Sequence, residues 1–317
     1  MKRRKFIQKS VIGGTVLSAY PFFCSCTTRR DNSNDELPKR KLGQTGEMLS
    51  IIGFGGIMLN EVEKTDAIDM VAKAFERGVN YYDVAPTYGN AEERLGPALK
   101  PYRNQCFLAC KTTQRNKEGA EKELHESLKR LQTEHFDLYQ LHAITTREDV
   151  EEAFAPDGAM EVFLKAKQDG KIRFIGFSAH SEEAALLAME KYDFDTILFP
   201  INFVCWYQGN FGPAVVSKAK EKKMGILAIK ALAFTGIPDG EENLYKRLWY
   251  KPIEDNEMAN SALRFTLSQG TTVAVPPGDA RFFWKAIDIA EKYTPLSIQE
   301  YEQLRKLSEG VEPLFKS

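Results

Sequence analysis

Thr65-Asp66-Ala67-Ile68-Asp69-Met70-Val71-Ala72-Lys73-Ala74-Phe75-Glu76-Arg77-Gly78, with Asn80-Tyr81-Tyr82-Asp83-Val84 close behind, reads as a helix followed by a strand. Ala67, Met70, Val71, Ala74 and Phe75 recur at helical spacing on one face. Thr65 stands where an N-cap belongs, and Gly78 stands where the helix must stop. The same alternation runs outward in both directions. Short apolar runs at 50–54, 80–84, 106–111, 138–142, 172–178, 196–199, 225–230 and 271–275 are the candidate strands. They begin about every 30 residues, the size of one strand–helix unit. A second clear helix covers 160–168, with Val162, Phe163 and Ala166 apolar and Gly170 as its stop.

Eight such units point to parallel strands joined by crossover helices, and hence to an α/β fold of the (β/α)8 barrel type. The competing architecture is a doubly wound open sheet. Its dinucleotide fingerprint is absent, because Gly53-Phe54-Gly55-Gly56 has the wrong glycine spacing. Helices expected at 280–291 and 298–307 form a C-terminal extension. The stretch 231–257 is longer than an ordinary connection and reads as a lid or binding loop.

In such a barrel the active face lies at the C-terminal strand ends. The second strand ends at Asp83, with Tyr88 just beyond. The third ends at Lys111, the fourth at His142, the fifth at Ser178 and the seventh at Lys230. Taken singly, each has an ordinary structural reading: a turn cap, a solvated lysine, a packing aromatic, a core histidine. Asp83, Tyr88, Lys111 and His142 together at one face point to chemistry instead. Reducing a carbonyl needs a hydride and a proton donor for the developing alkoxide. A phenol of pKa ~10 is a reluctant donor, and a neighbouring ammonium held by a carboxylate lowers that value. A histidine can hydrogen-bond the carbonyl oxygen and orient it.

The segment Asn80-Tyr81-Tyr82-Asp83-Val84-Ala85-Pro86-Thr87-Tyr88-Gly89, followed by Ala91-Glu92-Glu93-Arg94-Leu95-Gly96, resembles the aldo-keto reductase signature. Arg40-Lys41-Leu42-Gly43-Gln44-Thr45-Gly46 is similar to the N-terminal β-hairpin that seals the bottom of that family's barrel. The likeness covers 38–317. It implies Tyr88 as general acid/base, Asp83 and Lys111 as its tuning pair, and His142 as the group orienting the carbonyl. It also implies a nicotinamide cofactor across the strand ends, with contacts at Gly56, Ile57, Asp83, Ser178, Lys230 and Arg281.

Several positions depart from the family pattern. Ala179 replaces an asparagine beside Ser178, Leu198 stands where a glutamine is usual, and Ile229-Lys230-Ala231 stands where an aromatic often stacks on nicotinamide. His180 faces either the site or solvent. Lys230 contacts cofactor phosphate or substrate, or is a solvated strand end. Arg281 grips a 2′-phosphate, which favours NADP(H) over NAD(H), or is a surface arginine. Among loop aromatics, Trp206 and Tyr207 are the substrate-contact candidates, and Phe203, Phe211, Trp249 and Tyr250 accompany them. They suit stacking on a sugar-derived carbonyl or alcohol, or packing within the loops themselves. A barrel that binds cofactor or ligand without turnover, as an envelope sensor or assembly component, is the competing function.

The formal net charge is −1, but the first 25 residues carry Lys2, Arg3, Arg4, Lys5 and Lys9 and no acid. Without them the balance is 38 basic against 44 acidic side chains. No basic stripe for nucleic acid remains. Arg3-Arg4-Lys5-Phe6-Ile7 resembles a twin-arginine export motif, and the apolar stretch after it is too short to span a bilayer. A plain secretory signal is the alternative. Phe23-Cys24-Ser25-Cys26 is similar to a lipoprotein cleavage site, with Cys26 as the lipidated residue. The expected organisation is an export signal over 1–26, a polar tether over 27–37 and the barrel over 38–317, in the periplasm or anchored to the cell envelope. Cys106, Cys110 and Cys205 follow no disulfide or metal spacing.

Overall fold

The computed structural model describes residues 37–317. The expected signal, the Cys26 lipid site and nearly all of the tether lie outside the described residues. The strands are β1 (Lys39–Lys41), β2 (Met48–Ser50), β3 (Phe54–Gly55), β4 (Tyr81–Asp83), β5 (Phe107–Thr112) and β6 (Phe136–Ile144), followed by β7 (Ile172–Ala179), β8 (Thr196–Pro200), β9 (Gly225–Ile229), β10 (Ala233–Gly236), β11 (Tyr250–Pro252) and β12 (Val273–Val275). The helices are α1 (Lys64–Glu76), α2 (Ala91–Leu99), α3 (Lys117–Arg130), α4 (Arg147–Phe154), α5 (Ala159–Gln168), α6 (Glu182–Lys191), α7 (Phe203–Gln208), α8 (Pro213–Glu221), α9 (Asn256–Ser268), α10 (Ala280–Ala290) and α11 (Ile298–Ser308).

Eight parallel strands run in the order β3-β4-β5-β6-β7-β8-β9-β12. The ring closes through Ile51–Gly53: Ile52 bridges Ala274, and the Gly53 amide donates to the Ala274 carbonyl at 3.0 Å. This is the (β/α)8 barrel expected from the strand–helix rhythm.

Period-two alternation fills its interior. Tyr81, Phe107, Leu138, Phe174, Leu198, Leu227 and Val273 pack there, with Leu42 and Leu49 from the β1–β2 hairpin at the bottom. That plug is tight. A Cβ on Gly43, at φ +49°, would meet the Gly225 amide nitrogen at 2.4 Å, so only glycine lets the hairpin approach β9 this closely.

Three expectations need correction. The first strand was expected at 50–54, but residues 48–50 pair with β1, and only Phe54–Gly55 joins the barrel ladder with β4. The inward-facing, uninterrupted apolar run hid the point at which the chain changes partner. Thr65 is not a cap. Helix α1 starts one residue before it, with Glu63 at the N-cap and no side-chain cap bond. Burial of Ala67, Val71 and Ala74 fixes the helix in its place. The 231–257 stretch is not a plain loop, because β10 and β11 pair antiparallel within it. Cys106, just before β5, and Cys110, within it, are buried and unbridged.

Candidate active site

The parity that buries the core also builds the mouth. Asp83 follows Tyr81 by two residues on β4, Lys111 follows Ala109 on β5, and His142 follows Gln140 on β6. Ser178 follows Gly176 on β7 in the same way. Each points inward one layer above the packed interior. With Tyr88 from the β4–α2 connection, all but the fully buried Lys111 line a cavity of about 280 Å³ at the C-terminal strand ends.

Lys111 is fully buried and donates to Asp83 Oδ1 and, at 3.1 Å, to the Val84 carbonyl. A buried ammonium is costly unless paired and hydrogen-bonded, and here it is both. The second Asp83 oxygen accepts from Tyr81 Oη at 3.0 Å and from Gln140 Nε2 at 3.4 Å. Burial pulls the Lys111 pKa down, but Asp83 and Tyr88 outweigh it, and the ammonium is held above its ordinary value. The ammonium lies 5.3 Å from the Tyr88 ring centroid. Burial nevertheless raises the Tyr88 pKa more than Lys111 lowers it. The phenol is therefore a protonated group at neutral pH, not the depressed one expected from its neighbours alone.

His142 meets the Tyr88 ring edge-on, with centroids 5.8 Å apart. Its position depends on a bulge. From Leu141 to Ile144 the chain takes three steps on β6 against two on β7, and Ala143 adopts φ +53°. The Ala143 amide donates to Ser178 Oγ at 2.7 Å, and Arg115 Nη2 donates to the carbonyls of His142 (2.8 Å) and Ala143 (3.3 Å). Burial, then Lys111, His180 and Arg115, press the His142 pKa down to about 2, so the ring is neutral. Its Nδ1 is buried without a partner. An unpaired N–H costs more there than an unpaired lone pair, which puts the proton on Nε2.

The other side of the cavity comes from β7–β9, β12 and the β10–β11 strap. Leu198, Ile229 and Val275 are its apolar floor, and Gly55, Ile57 and Gly278 its edge. Gly56 is buried between Gly55 and Ile57 and does not line it; a Cβ there would meet the Asp83 carbonyl at 2.9 Å. Arg247 reaches from the strap to the Asn60 carbonyl and closes it over the mouth. His180 lines the cavity rather than facing solvent, beside Phe315 at 5.5 Å, and burial holds its pKa at about 4. Lys230 also lines it, at φ +69°.

Two placements differ from expectation. Trp206 and Tyr207 sit on α7 and pack against Phe265 of α9, at centroid distances of 5.8 and 5.6 Å; neither lines the cavity. The β8–α7 turn winds into a helix that directs their rings outward, and Trp249 and Tyr250 are the aromatics that face the cavity. Arg281 is exposed and held by Asp279, with Nε at 2.9 Å and Nη2 at 2.7 Å, outside the cavity lining. Sequence reasoning missed Tyr81, Gln140 and Arg115. Tyr81 and Gln140 share the inward parity of Asp83 and His142, and that signal could have found them. Nothing local marks Arg115.

The family model for the Aldo/keto reductase family matches residues 51–247. An uncharacterized oxidoreductase, YqkF, of Bacillus subtilis is 35% identical over 155 residues, which cover 44% of this chain and 48% of that protein. L-galactose dehydrogenase of Arabidopsis thaliana is 30% identical over 215 residues, covering 61% of this chain and 65% of that one. The matches thus span about half to two thirds of those relatives' lengths. An aldo-keto reductase from Bacillus halodurans, solved in its holo form, superposes with a TM-score of 0.69 at 22% identity over 88% of this chain and 99% of its own. That likeness speaks for the fold. The chain belongs to the aldo/keto reductase family.

Proposed function

We propose that this protein is a nicotinamide-dependent oxidoreductase that interconverts a small carbonyl compound and its alcohol, with Tyr88 as the general acid/base. The observation that carries the reading is the cavity-facing phenol of Tyr88 standing against a fully buried Lys111–Asp83 ion pair. A structural tyrosine has no need of such a neighbour.

The cavity fits the cofactor's nicotinamide end. Leu198, Ile229 and Val275 offer an apolar bed, and Ser178 Oγ, which accepts from Ala143, still has its hydrogen to donate to a carboxamide. Gly56 and Ile57 would flank the ring. Arg247 and Arg281, with the N-terminus of α10, form the cationic side suited to phosphates. A 2′-phosphate would draw Arg281 from Asp279, which favours NADP(H) over NAD(H). The bound reduced cofactor supplies the hydride.

In reduction, Nε2–H of His142 donates to the substrate oxygen and orients it. As the carbon gains its new C–H bond and the C=O π bond opens, the Tyr88 hydroxyl delivers its proton to that oxygen. The Lys111 ammonium stabilises the resulting phenolate, and Asp83 keeps the ammonium in position. Oxidation runs the same proton path backwards.

Trp249 and Tyr250 at the mouth, together with the sugar named in the Arabidopsis relative, support a sugar-derived substrate. The N-terminal segment supports export to the periplasm or envelope, testable by fractionation and by the mass of the residue 26 peptide. Consumption of NADPH or NADH across a panel of sugars, aldehydes and ketones tests the whole reading. Abolition by Tyr88→Phe is the expected result. Tight nucleotide binding with no turnover of any carbonyl or alcohol would instead favour a ligand-binding barrel.

A further inference from the structure

Lys230 differs from the other charged groups around the cavity because nothing balances it. It follows the last residue of β9 in a left-handed conformation, φ +69°, that residues bearing a Cβ rarely adopt. Its ammonium has no hydrogen-bond or ion-pair partner among the described residues. Its neighbours are two aromatic faces, with the Tyr250 centroid at 4.8 Å and the Trp249 centroid at 5.3 Å. Burial lowers its pKa to about 8 with no carboxylate opposing the shift, yet at neutral pH it remains mostly protonated. Burial first, and then the charge of Lys230, hold the His180 pKa low, and His142 meets the Tyr88 ring edge-on. Lys230, His180, His142 and Tyr88 all line the one cavity. Among the described residues, the one acid lining the cavity is Asp83, already neutralised by Lys111. The substrate half of the cavity therefore carries an uncompensated positive charge.

We propose that Lys230 receives a carboxylate of the substrate, so that the enzyme acts on carbonyl acids and, in reverse, on the corresponding hydroxy acids. This rests on the proton-transfer reading of Tyr88. The carboxylate sits against the ammonium between the Trp249 and Tyr250 faces, and the carbonyl to be reduced lies toward His142 and Tyr88. A cofactor phosphate carries the same anionic chemistry. Lys230 lines the same cavity as Tyr88 and His142 whereas Arg281 stands outside it, which favours the substrate.

Matched pairs test this: D-glucuronate against D-glucose, and 4-oxobutanoate against butanal, with the native sequence, Lys230→Met and Lys230→Arg. The acid of each pair is the better substrate by kcat/KM. Lys230→Met erases that preference, with the acid losing on the order of a hundredfold more than its neutral twin, as for removal of one partner of a buried charge pair. Lys230→Arg restores part of it. Equal losses on both members, with a raised KM for NADPH, would assign Lys230 to cofactor phosphate and overturn the proposal. An undiminished acid preference in Lys230→Met would overturn it too. Absence of turnover with every compound would count against Tyr88 chemistry instead. Trp249 fluorescence then decides, measured without cofactor and corrected with Trp249→Phe. Saturable quenching by D-glucuronate but not D-glucose, lost in Lys230→Met, supports the site; identical titrations in both proteins sink it.

Discussion

The two walls of the cavity are built on different terms. On the β4–β6 wall the polar groups are closely partnered. Asp83 holds Lys111 and accepts from Tyr81 and Gln140, and Arg115 clamps the bulge behind His142. On the β7–β9 wall His180 and Lys230 face the cavity with rings as their neighbours, above an apolar floor. Proton transfer needs a fixed field, so Asp83 and Lys111 have their valences filled by protein and His142 is held through its clamped backbone. Recognition needs unfilled valences, so its groups wait for a ligand. Within one ring of strands, catalytic groups are therefore the ones supported from behind, and binding groups the ones left incomplete.

Breaking the supported wall gives the largest effects. Lys111→Met leaves the Asp83 carboxylate buried without its counter-ion, and we expect destabilisation of about 3–5 kcal/mol in denaturant titrations, with turnover lost. Tyr88→Phe removes only the phenolic hydroxyl. A fall in kcat of about 10²–10⁴ with a nearly unchanged melting temperature is the expected pair of results, and a variant of near-native rate would refute the acid/base role.

Acid sharpens the comparison, because each wall carries one of the two histidines. With folded pKa values of about 2 for His142 and about 4 for His180, the unfolded chain takes up protons below pH ~6.5 that the folded chain refuses. Stability therefore falls as pH drops from ~6.5 toward 4, by up to about 1.4 kcal/mol per pH unit for each histidine. His142→Gln makes that slope shallower in unfolding experiments at pH 4 to 7. The raised Tyr88 pKa has the opposite consequence for rate. The phenolic proton is retained through neutral pH, so reduction shows no alkaline loss from Tyr88 until pH exceeds its ordinary value of ~10.

Smaller effects test the supports. Arg115→Ala frees the carbonyls of His142 and Ala143, and should cost about 1–3 kcal/mol and lower kcat more than it raises KM. An unchanged kcat would separate the bulge from His142 orientation. Trp206→Leu should cost about 1–2 kcal/mol of packing against Phe265 and leave KM for every substrate unaltered. A specific rise in KM would return Trp206 to the substrate site.

Much of the supported wall was legible in the chain. Tyr81 and Asp83, Ala109 and Lys111, Gln140 and His142 lie at spacing two on short apolar runs, so the same inward face supplies a core residue and then a polar one. The other wall was harder to read. Trp206 and Tyr207 looked like mouth aromatics until α7 turned them toward α9, whereas Trp249 and Tyr250 reach the cavity through a strap tied to Asn60. Arg115 stands beyond β5 with no periodic pattern, and its roles come from contacts distant in sequence, with the β6 carbonyls and with Asp149 of α4.

By itself the sequence determined the barrel and the polar residues near its strand ends, because backbone periodicity and the length of a strand–helix unit are local properties. Tertiary structure alone decided the protonation of Tyr88, the bulge that aims His142 and the isolation of Lys230. Desolvation and charge pairing sum over elements distant in sequence, and no local pattern encodes which of them will meet.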